Sequence, residues 1–223
     1  MSAPRGPVAV LASGGLDSAV LLVEMARTAG RAVPLFIRAG HVWESEERAA
    51  LERFIAAVGE PRIDPVRELA VPMDDVYGRH WSMTGRDVPG WEAPDEEVEL
   101  RGRNLVLLAK PLVLAATCGW PTVALGSLAG NPFPDATPSF FSALAAVASD
   151  GVRAPLAIVT PFRELSKADV IRRGIGLPLE HTLSCLTPGA DGLHCGDCNK
   201  CRERADAFVT AGVVDRTRYA RRR

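Results

Sequence analysis

The sequence predicts an α/β fold in which a doubly wound parallel sheet is covered by helices on both faces. Short apolar segments alternate with segments of helical apolar spacing along most of the 223 residues, a pattern typical of parallel sheets. The first apolar segment runs into a glycine-rich turn and then a helix, an order typical of phosphate sites. Near the C-terminus this periodicity fades and four cysteines lie close together. They predict a metal-binding segment attached to the sheet.

The first half of the chain supplies the first part of this sheet. Strands are predicted at 8–12, 32–37 and 67–71, with helices between them at 18–29 and 46–58. Ser45 is a suitable N-cap for the second helix, and Gly59 is a suitable end. Residues 72–102 are rich in proline, glycine, tryptophan and acidic side chains, and are predicted to form a long loop.

The second half repeats the alternation and completes the sheet. Helices are predicted at 104–118 and 138–148, and strands at 121–126 and 156–159. Pro111 is expected to kink the first of these helices, and Cys118 to lie in its buried face. Ser166 and Asp169 form a capping box that predicts one more short helix. We divide the chain into a main domain at 1–180, a zinc-binding segment at 181–210 and a basic tail at 211–223.

Composition and charge narrow the classes of function. Apolar residues make up 47% of the chain and charged residues 24%, as in an ordinary globular protein. The net charge of −1 provides no basic field, so nucleic acid is not expected as a partner. The strongly basic residues 216–223 within the tail are interpreted as a solvated terminus. No signal peptide or long apolar run is visible, so we expect a cytoplasmic protein that binds no membrane and has no structural disulfides.

The turn after the first strand carries the strongest functional signal. Its residues are Ser13, Gly14, Gly15, Leu16, Asp17 and Ser18. The glycines let backbone N–H groups approach phosphate oxygens, the serines add hydroxyl donors, and the helix dipole is positive at this end. A carboxylate repels phosphates unless a metal intervenes, so Asp17 favours a nucleotide bound with Mg²⁺. The alternative is an ordinary strand–turn–helix corner capped by the aspartate or a serine.

The C-terminal cysteines provide the second signal. Cys185, Cys195, Cys198 and Cys201 have the spacing C-x9-C-x2-C-x2-C, which suits a tetrahedral Zn²⁺ held by four thiolates. Such a site is closed, so zinc would stabilise the fold and would not activate water. An iron–sulfur cluster and a redox pair are the alternatives. His194 is adjacent, but Cys195 suits the spacing better.

Residues 13–18 resemble the pyrophosphate loop of the ATP-pyrophosphatase (PP-loop) superfamily, S-G-G-x-D-S after the first strand. With three further segments, Gly102-Arg103-Asn104, 160–169 and 182–201, the chain resembles the 7-cyano-7-deazaguanine synthases. The resemblance implies a Rossmann-like, adenine nucleotide alpha hydrolase-like fold. It also implies a homodimer that cleaves ATP between the α and β phosphates and adenylates a carboxylate, 7-carboxy-7-deazaguanine. Ammonia then forms the amide, and a second activation forms the nitrile, in queuosine biosynthesis.

The resemblance also assigns roles to three charged residues. Asp17 would position Mg²⁺ or the pyrophosphate loop itself. Lys167 would follow the leaving pyrophosphate, although an exposed first-turn lysine is the alternative. Arg103 would pair with a phosphate or a carboxylate, with a surface salt bridge as the alternative.

The expected substrate loop, residues 130–140, departs in part from the family's pattern. Phe133 would stack on the base, and Asp135 would accept hydrogen bonds from its guanine-like edge. The alternative for both is a proline-bracketed turn capped by the aspartate. Thr137 and Ser139 replace an arginine and a glutamate, and residues 38–43 replace the family's D-Y-G-Q run. Both departures lie where the acceptor is expected to bind.

Other functions remain open from the sequence. One is a sulfur transferase acting on tRNA, although no cysteine lies near the loop 13–18 in the sequence. Another is an amide-forming paralogue with a different acceptor. The last is an inactive nucleotide-binding module that has kept its zinc.

Overall fold

The computed structural model describes residues 6–221, and five parallel strands form its sheet. The strands are β1 (Val8–Leu11), β2 (Ala32–Arg38), β3 (Arg67–Ala70), β4 (Thr122–Ala124) and β5 (Ala157–Val159). Their order is β3-β2-β1-β4-β5, so the chain winds outward in both directions from the central β1. The predicted doubly wound parallel sheet is confirmed.

Eight helices lie within the described residues. They are α1 (Leu16–Ala29), α2 (Glu44–Val58), α3 (Asp74–Tyr77), α4 (Trp81–Thr84), α5 (Arg103–Cys118), α6 (Pro138–Val152), α7 (Lys167–Arg173) and α8 (Asn199–Ala211). Short 3-10 turns lie at Asp95–Val98, Pro134–Ala136, Leu179–His181 and Ala190–Gly192. None of the helices in residues 6–221 has the length and apolar character needed to span a membrane.

The core is divided between the two faces of the sheet because successive strand residues point to opposite sides. On one face, Val8 and Val10 pack with the buried residues of α1, α7 and α8. On the other face, Ala9 packs with α5 and with Phe141 of α6. Since both faces are covered, β1 is apolar at every position, as expected of a central parallel strand.

Several predicted boundaries need correction. The second helix begins at Glu44 after Trp43, so Ser45 lies inside it and is not its N-cap. Residues 72–102 contain α3, α4 and a 3-10 turn within the expected loop. Cys118 is exposed at the end of α5 and does not lie in the core.

The C-terminal region is more ordered than the sequence indicated. The region of the four cysteines, which the sequence predicted to lack periodicity, ends in α8. The chain after α8 packs back on residues 182–204, which we call the cysteine segment. The His194 N–H donates to the Arg218 carbonyl at 2.9 Å, and the Ala220 N–H donates to the His194 carbonyl at 2.8 Å. The interpretation of the tail as a solvated terminus is therefore wrong for residues 217–220. Its last two residues, Arg222 and Arg223, lie outside the described residues.

Candidate active site

A cavity of about 250 Å³ opens at the carboxyl edge of the sheet, beside the end of β1. At this point β2 and β4 leave β1 on opposite sides, which is where open α/β sheets bind ligands. The turn between β1 and α1 forms one wall. The start of α2, the start of α5 and residues 125–131 contribute most of the rest.

The loop 13–18 is shaped by close contacts with two other segments. Gly14 has a φ of 85°, and a Cβ placed on it would collide with the backbone carbonyl of Glu47 in α2. On another side, the Leu183 N–H donates to the Gly14 carbonyl at 2.8 Å. Within the loop, the Ser18 hydroxyl donates to the Gly15 carbonyl at 3.0 Å. The position of Gly14 therefore requires glycine for both its dihedral angle and its packing.

The structure brings Asp17 and Lys167 together, although 149 residues separate them in the sequence. Lys167 Nζ lies 3.3 Å from Asp17 Oδ2 and 2.7 Å from Glu203 Oε1. Glu203 also contacts Lys200 at 2.8 Å. Lys167 is thus not an exposed first-turn lysine, because only 13% of its side chain is exposed.

Burial governs the protonation of this cluster. It raises the pKa of Asp17, and the nearby Lys167 only partly opposes that effect. Burial alone would lower the pKa of Lys167, but the Asp17 and Glu203 carboxylates outweigh it and raise that pKa. The Asp17 Oδ1 atom is buried and has no hydrogen-bond partner among residues 6–221. This oxygen offers a lone pair for a cation or a donor from a ligand.

The opposite wall is made of polar side chains that come from separate elements. Arg103 and Asn104 open α5, Glu47 lies in α2, and His41 precedes α2. Burial raises the pKa of Glu47 to about 8, with Arg103 opposing and Glu44 assisting. Burial, with smaller contributions from Arg103 and His80, lowers the pKa of His41 to about 4.

His41 also belongs to an aromatic group beside the cavity. Its ring stacks on Trp43 at 4.8 Å and on Tyr77 at 6.4 Å between centroids. Its Nδ1 atom is buried and finds no partner in the described part of the chain. A neutral imidazole with a free ring nitrogen can exchange a hydrogen bond with a ligand in the cavity.

The two residues predicted to bind the base occupy supporting positions. Asp135 Oδ2 accepts the Asn104 backbone N–H at 2.8 Å, and the Asn104 side chain donates to the Asp135 carbonyl at 3.0 Å. Phe133 packs against the apolar cluster around the cysteines. Neither is among the residues that line the cavity. Thr137, one of the departures from the family pattern, caps α6 by accepting the Phe140 N–H at 3.2 Å.

The four predicted cysteines converge on one point. The Sγ atoms of Cys185, Cys195, Cys198 and Cys201 all lie within 4.8 Å of one another. Backbone N–H groups donate to three of these sulfurs, at 3.3 to 3.5 Å. His194 stands apart from the sulfurs, since its Nε2 accepts the Ser184 N–H at 3.0 Å. The donor set fits one thiophilic ion with tetrahedral coordination.

The model of the family described as "Queuosine biosynthesis protein QueC" matches residues 7–212. The chain belongs to this family. The 7-cyano-7-deazaguanine synthase of Thiobacillus denitrificans is 34% identical over 224 residues, covering 95% of this chain and 97% of the relative. The synthase of Azoarcus sp. is 33% identical and covers 96% of this chain and 96% of the relative. The synthase of Frankia casuarinae is also 33% identical and covers 95% of this chain and 93% of the relative. The family resemblance seen in the motifs is confirmed.

The sequence of this QueC-family chain did not reveal three buried or cavity-lining residues. Arg204 is fully buried and donates to Thr182, Ser184, Thr217 and the Leu179 carbonyl at 2.8 to 3.3 Å. Glu203 contacts Lys167, and Glu47 lines the cavity. The apolar residues Ala207 and Phe208 after the cysteines were the sequence signal for the helix that carries Glu203 and Arg204. No sequence signal separates Glu47 from its acidic neighbours.

Proposed function

We propose that this protein is an ATP-dependent carbon–nitrogen ligase. It adenylates the carboxylate of 7-carboxy-7-deazaguanine and joins it to ammonia, forming first the amide and then the nitrile, 7-cyano-7-deazaguanine. The observation that carries this proposal is the buried Asp17–Lys167 pair beside the loop 13–18, at the switch point of the sheet. The names of the relatives supply the substrate class.

The proposed chemistry requires both the Asp17 carboxylate and the Lys167 amine beside the loop 13–18, where the phosphates bind. The carboxylate must displace pyrophosphate from ATP before ammonia can attack its carbon and release AMP. Ser13, Gly14, Gly15, Leu16 and Ser18 bind the pyrophosphate through backbone amides and hydroxyls. Lys167 compensates the charge that develops on the leaving pyrophosphate. Asp17 would hold Mg²⁺ through its free Oδ1, and the ion would supply charge neutralisation for the phosphates.

The acceptor occupies the opposite wall. Arg103 pairs with the carboxylate in the geometry that guanidinium groups favour. His41 and the aromatic group around it face the ring system, and Asp135 acts by shaping this wall. Phe133 acts only through its neighbour Asn131, whose side-chain oxygen accepts the Phe133 N–H at 3.1 Å. Through Asn104, Asp135 fixes the start of α5 and therefore the position of Arg103.

We propose that the cysteines hold one structural Zn²⁺. A tetrahedral ion about 2.3 Å from each sulfur places the sulfurs about 3.8 Å apart. The sulfurs of Cys195 and Cys201 lie 3.8 Å apart. A four-iron cluster binds each thiolate through a different iron atom and holds the sulfurs further apart. We further propose, from the family resemblance, a cytoplasmic homodimer that acts on small molecules and not on nucleic acid.

The test is incubation of the purified protein with ATP, Mg²⁺, ammonium and 7-carboxy-7-deazaguanine, followed by mass analysis. We expect the amide and then the nitrile, with pyrophosphate released at each activation. Lys167→Ala is expected to slow the formation of both products strongly, to a residual rate that can still be measured, while the protein stays folded. Release of pyrophosphate only with another carboxylate would contradict the proposed acceptor, and none with any carboxylate would contradict the ligase.

A further inference from the structure

Four side chains of alternating charge link the pyrophosphate loop to the cysteine segment. Asp17 in α1 contacts Lys167 at 3.3 Å, Lys167 contacts Glu203 at 2.7 Å, and Glu203 contacts Lys200 at 2.8 Å. The last two residues belong to α8. The described structure therefore joins the first turn of α1 to α8 through side chains alone.

The cysteine segment fixes the position of Glu203. Cys198 immediately precedes α8, and Cys201 lies in its first turn, two residues before Glu203. The next residue, Arg204, is fully buried and hydrogen-bonded to residues 179–184 and to Thr217. Glu203 therefore projects from a turn that is held on both sides.

The position of Lys167 in the fold explains why a second carboxylate is needed beside it. It is the first residue of α7, where the helix dipole disfavours a cation. Its contact with Asp17 alone would not hold it in place during the reaction, because Asp17 is also the proposed Mg²⁺ ligand. A metal ion on Oδ1 would draw on the negative charge of Asp17 and weaken its attraction for the amine, so a second carboxylate keeps Lys167 in position.

We propose that Glu203 is a positioning residue that holds Lys167 Nζ against the leaving pyrophosphate and so couples ATP cleavage to the cysteine segment. The inference rests on the proposed function of the loop and of Lys167. It adds a residue that touches neither the nucleotide nor the acceptor.

Kinetics of pyrophosphate release test the proposal. Glu203→Gln is expected to lower kcat about 10- to 100-fold, since misplacing a group that acts in the transition state has effects of that size, with little change in KM for ATP. The double variant Lys167→Ala/Glu203→Gln is expected to be no slower than Lys167→Ala. Additive losses in the double variant, or an unchanged kcat in Glu203→Gln, would overturn the proposal.

A second readout does not depend on activity. The chain has three lysines, Lys110, Lys167 and Lys200. Glu203→Gln is expected to raise the rate at which acetic anhydride labels Lys167, measured by peptide mass analysis relative to the exposed Lys110. An unchanged ratio would show that Glu203 does not hold the amine. This result is independent of whether the wild-type protein releases pyrophosphate, so it separates failure of this proposal from failure of the proposed function.

Matched controls separate positioning from folding. Glu164→Gln removes an acidic side chain that is 79% exposed, three residues from Lys167, and is expected to leave the kinetics and the labelling unchanged. Glu203→Asp is expected to restore part of kcat. Glu203→Gln is expected to keep the metal content of the wild type, and its thermal midpoint is expected to fall only modestly from the loss of two ion pairs, so that most of the protein stays folded in the assay. If the metal content falls and kcat falls only in proportion to the folded fraction, the role of Glu203 is structural and the proposal is wrong.

Discussion

The loop 13–18 and the cysteine segment 182–204 are held in place in different ways. The loop follows directly from a central strand, and neighbouring backbone groups set its shape. The segment has little regular structure before α8, and thiol groups, a buried arginine and a buried histidine hold it together. The two regions meet where the Leu183 N–H donates to the Gly14 carbonyl. From this difference we expect that unfolding of the cysteine segment will also disorder the loop, whereas substitutions in the loop will leave the segment folded.

The largest effect is expected from loss of the metal site. Cys198→Ser removes a thiolate, and a structural metal contributes directly to folding free energy. We expect loss of the bound metal and a fall of about 10 °C or more in the thermal midpoint, since roughly 2–4 °C accompany each kcal/mol in a chain of this size. Pyrophosphate release is expected to be lost with it. Cys118→Ser, at an exposed cysteine outside the cluster, is the control. Retention of stability and metal in Cys198→Ser would contradict the structural role.

The buried arginine is expected to rank second. Arg204→Met removes a guanidinium that donates to the Leu179 carbonyl and to buried hydroxyls, and leaving such polar groups unsatisfied costs about 1–3 kcal/mol. Urea unfolding measures the change. Arg218→Met, at an exposed arginine of the C-terminal tail, is expected to change the free energy of unfolding by less than about 0.5 kcal/mol. Equal effects at both positions would show that the side chain of Arg204 does not hold the segment.

Two glycines test the loop without touching the cysteines. Gly14 and Gly30 have φ angles of 85° and 81°, but a Cβ collides with the Glu47 backbone only at Gly14 and meets open space at Gly30. Gly30→Ala is expected to cost about 1 kcal/mol for its dihedral angle. Gly14→Ala is expected to cost about 2 kcal/mol or more and to abolish pyrophosphate release, while bound metal is retained. Equal costs for the two variants would mean that packing against α2 does not shape the loop.

The same contrast explains what the sequence could predict. Strand β1, the loop 13–18 and the cluster of four cysteines were predicted because their signals lie in short contiguous stretches of sequence. Glu203 and Arg204 were missed because α8 begins directly after Cys198 and has few apolar positions. His41, Glu47 and Arg103 come from separate parts of the chain, and only folding brings them to one wall. Of these three, Arg103 alone was identified, through the resemblance of the G-R-N segment.

The last expected effect concerns the cavity wall that contains Glu47 and is a dependence of stability on pH. Burial raises the pKa of Glu47 to about 8 from an ordinary value of 4.5. Between these values the folded protein holds a proton that the unfolded chain has released, so this contribution to stability is complete below about pH 4.5 and is lost as the pH rises through about 8. Urea unfolding of Glu47→Gln at about pH 5 to 9 is expected to show a smaller fall of the free energy of unfolding than in the wild type. Glu52→Gln, at a 64% exposed position of the same helix, is expected to keep the wild-type slope. An identical slope in Glu47→Gln would mean that this carboxyl is ionised in the folded protein, and that the acceptor wall is better solvated than the phosphate side.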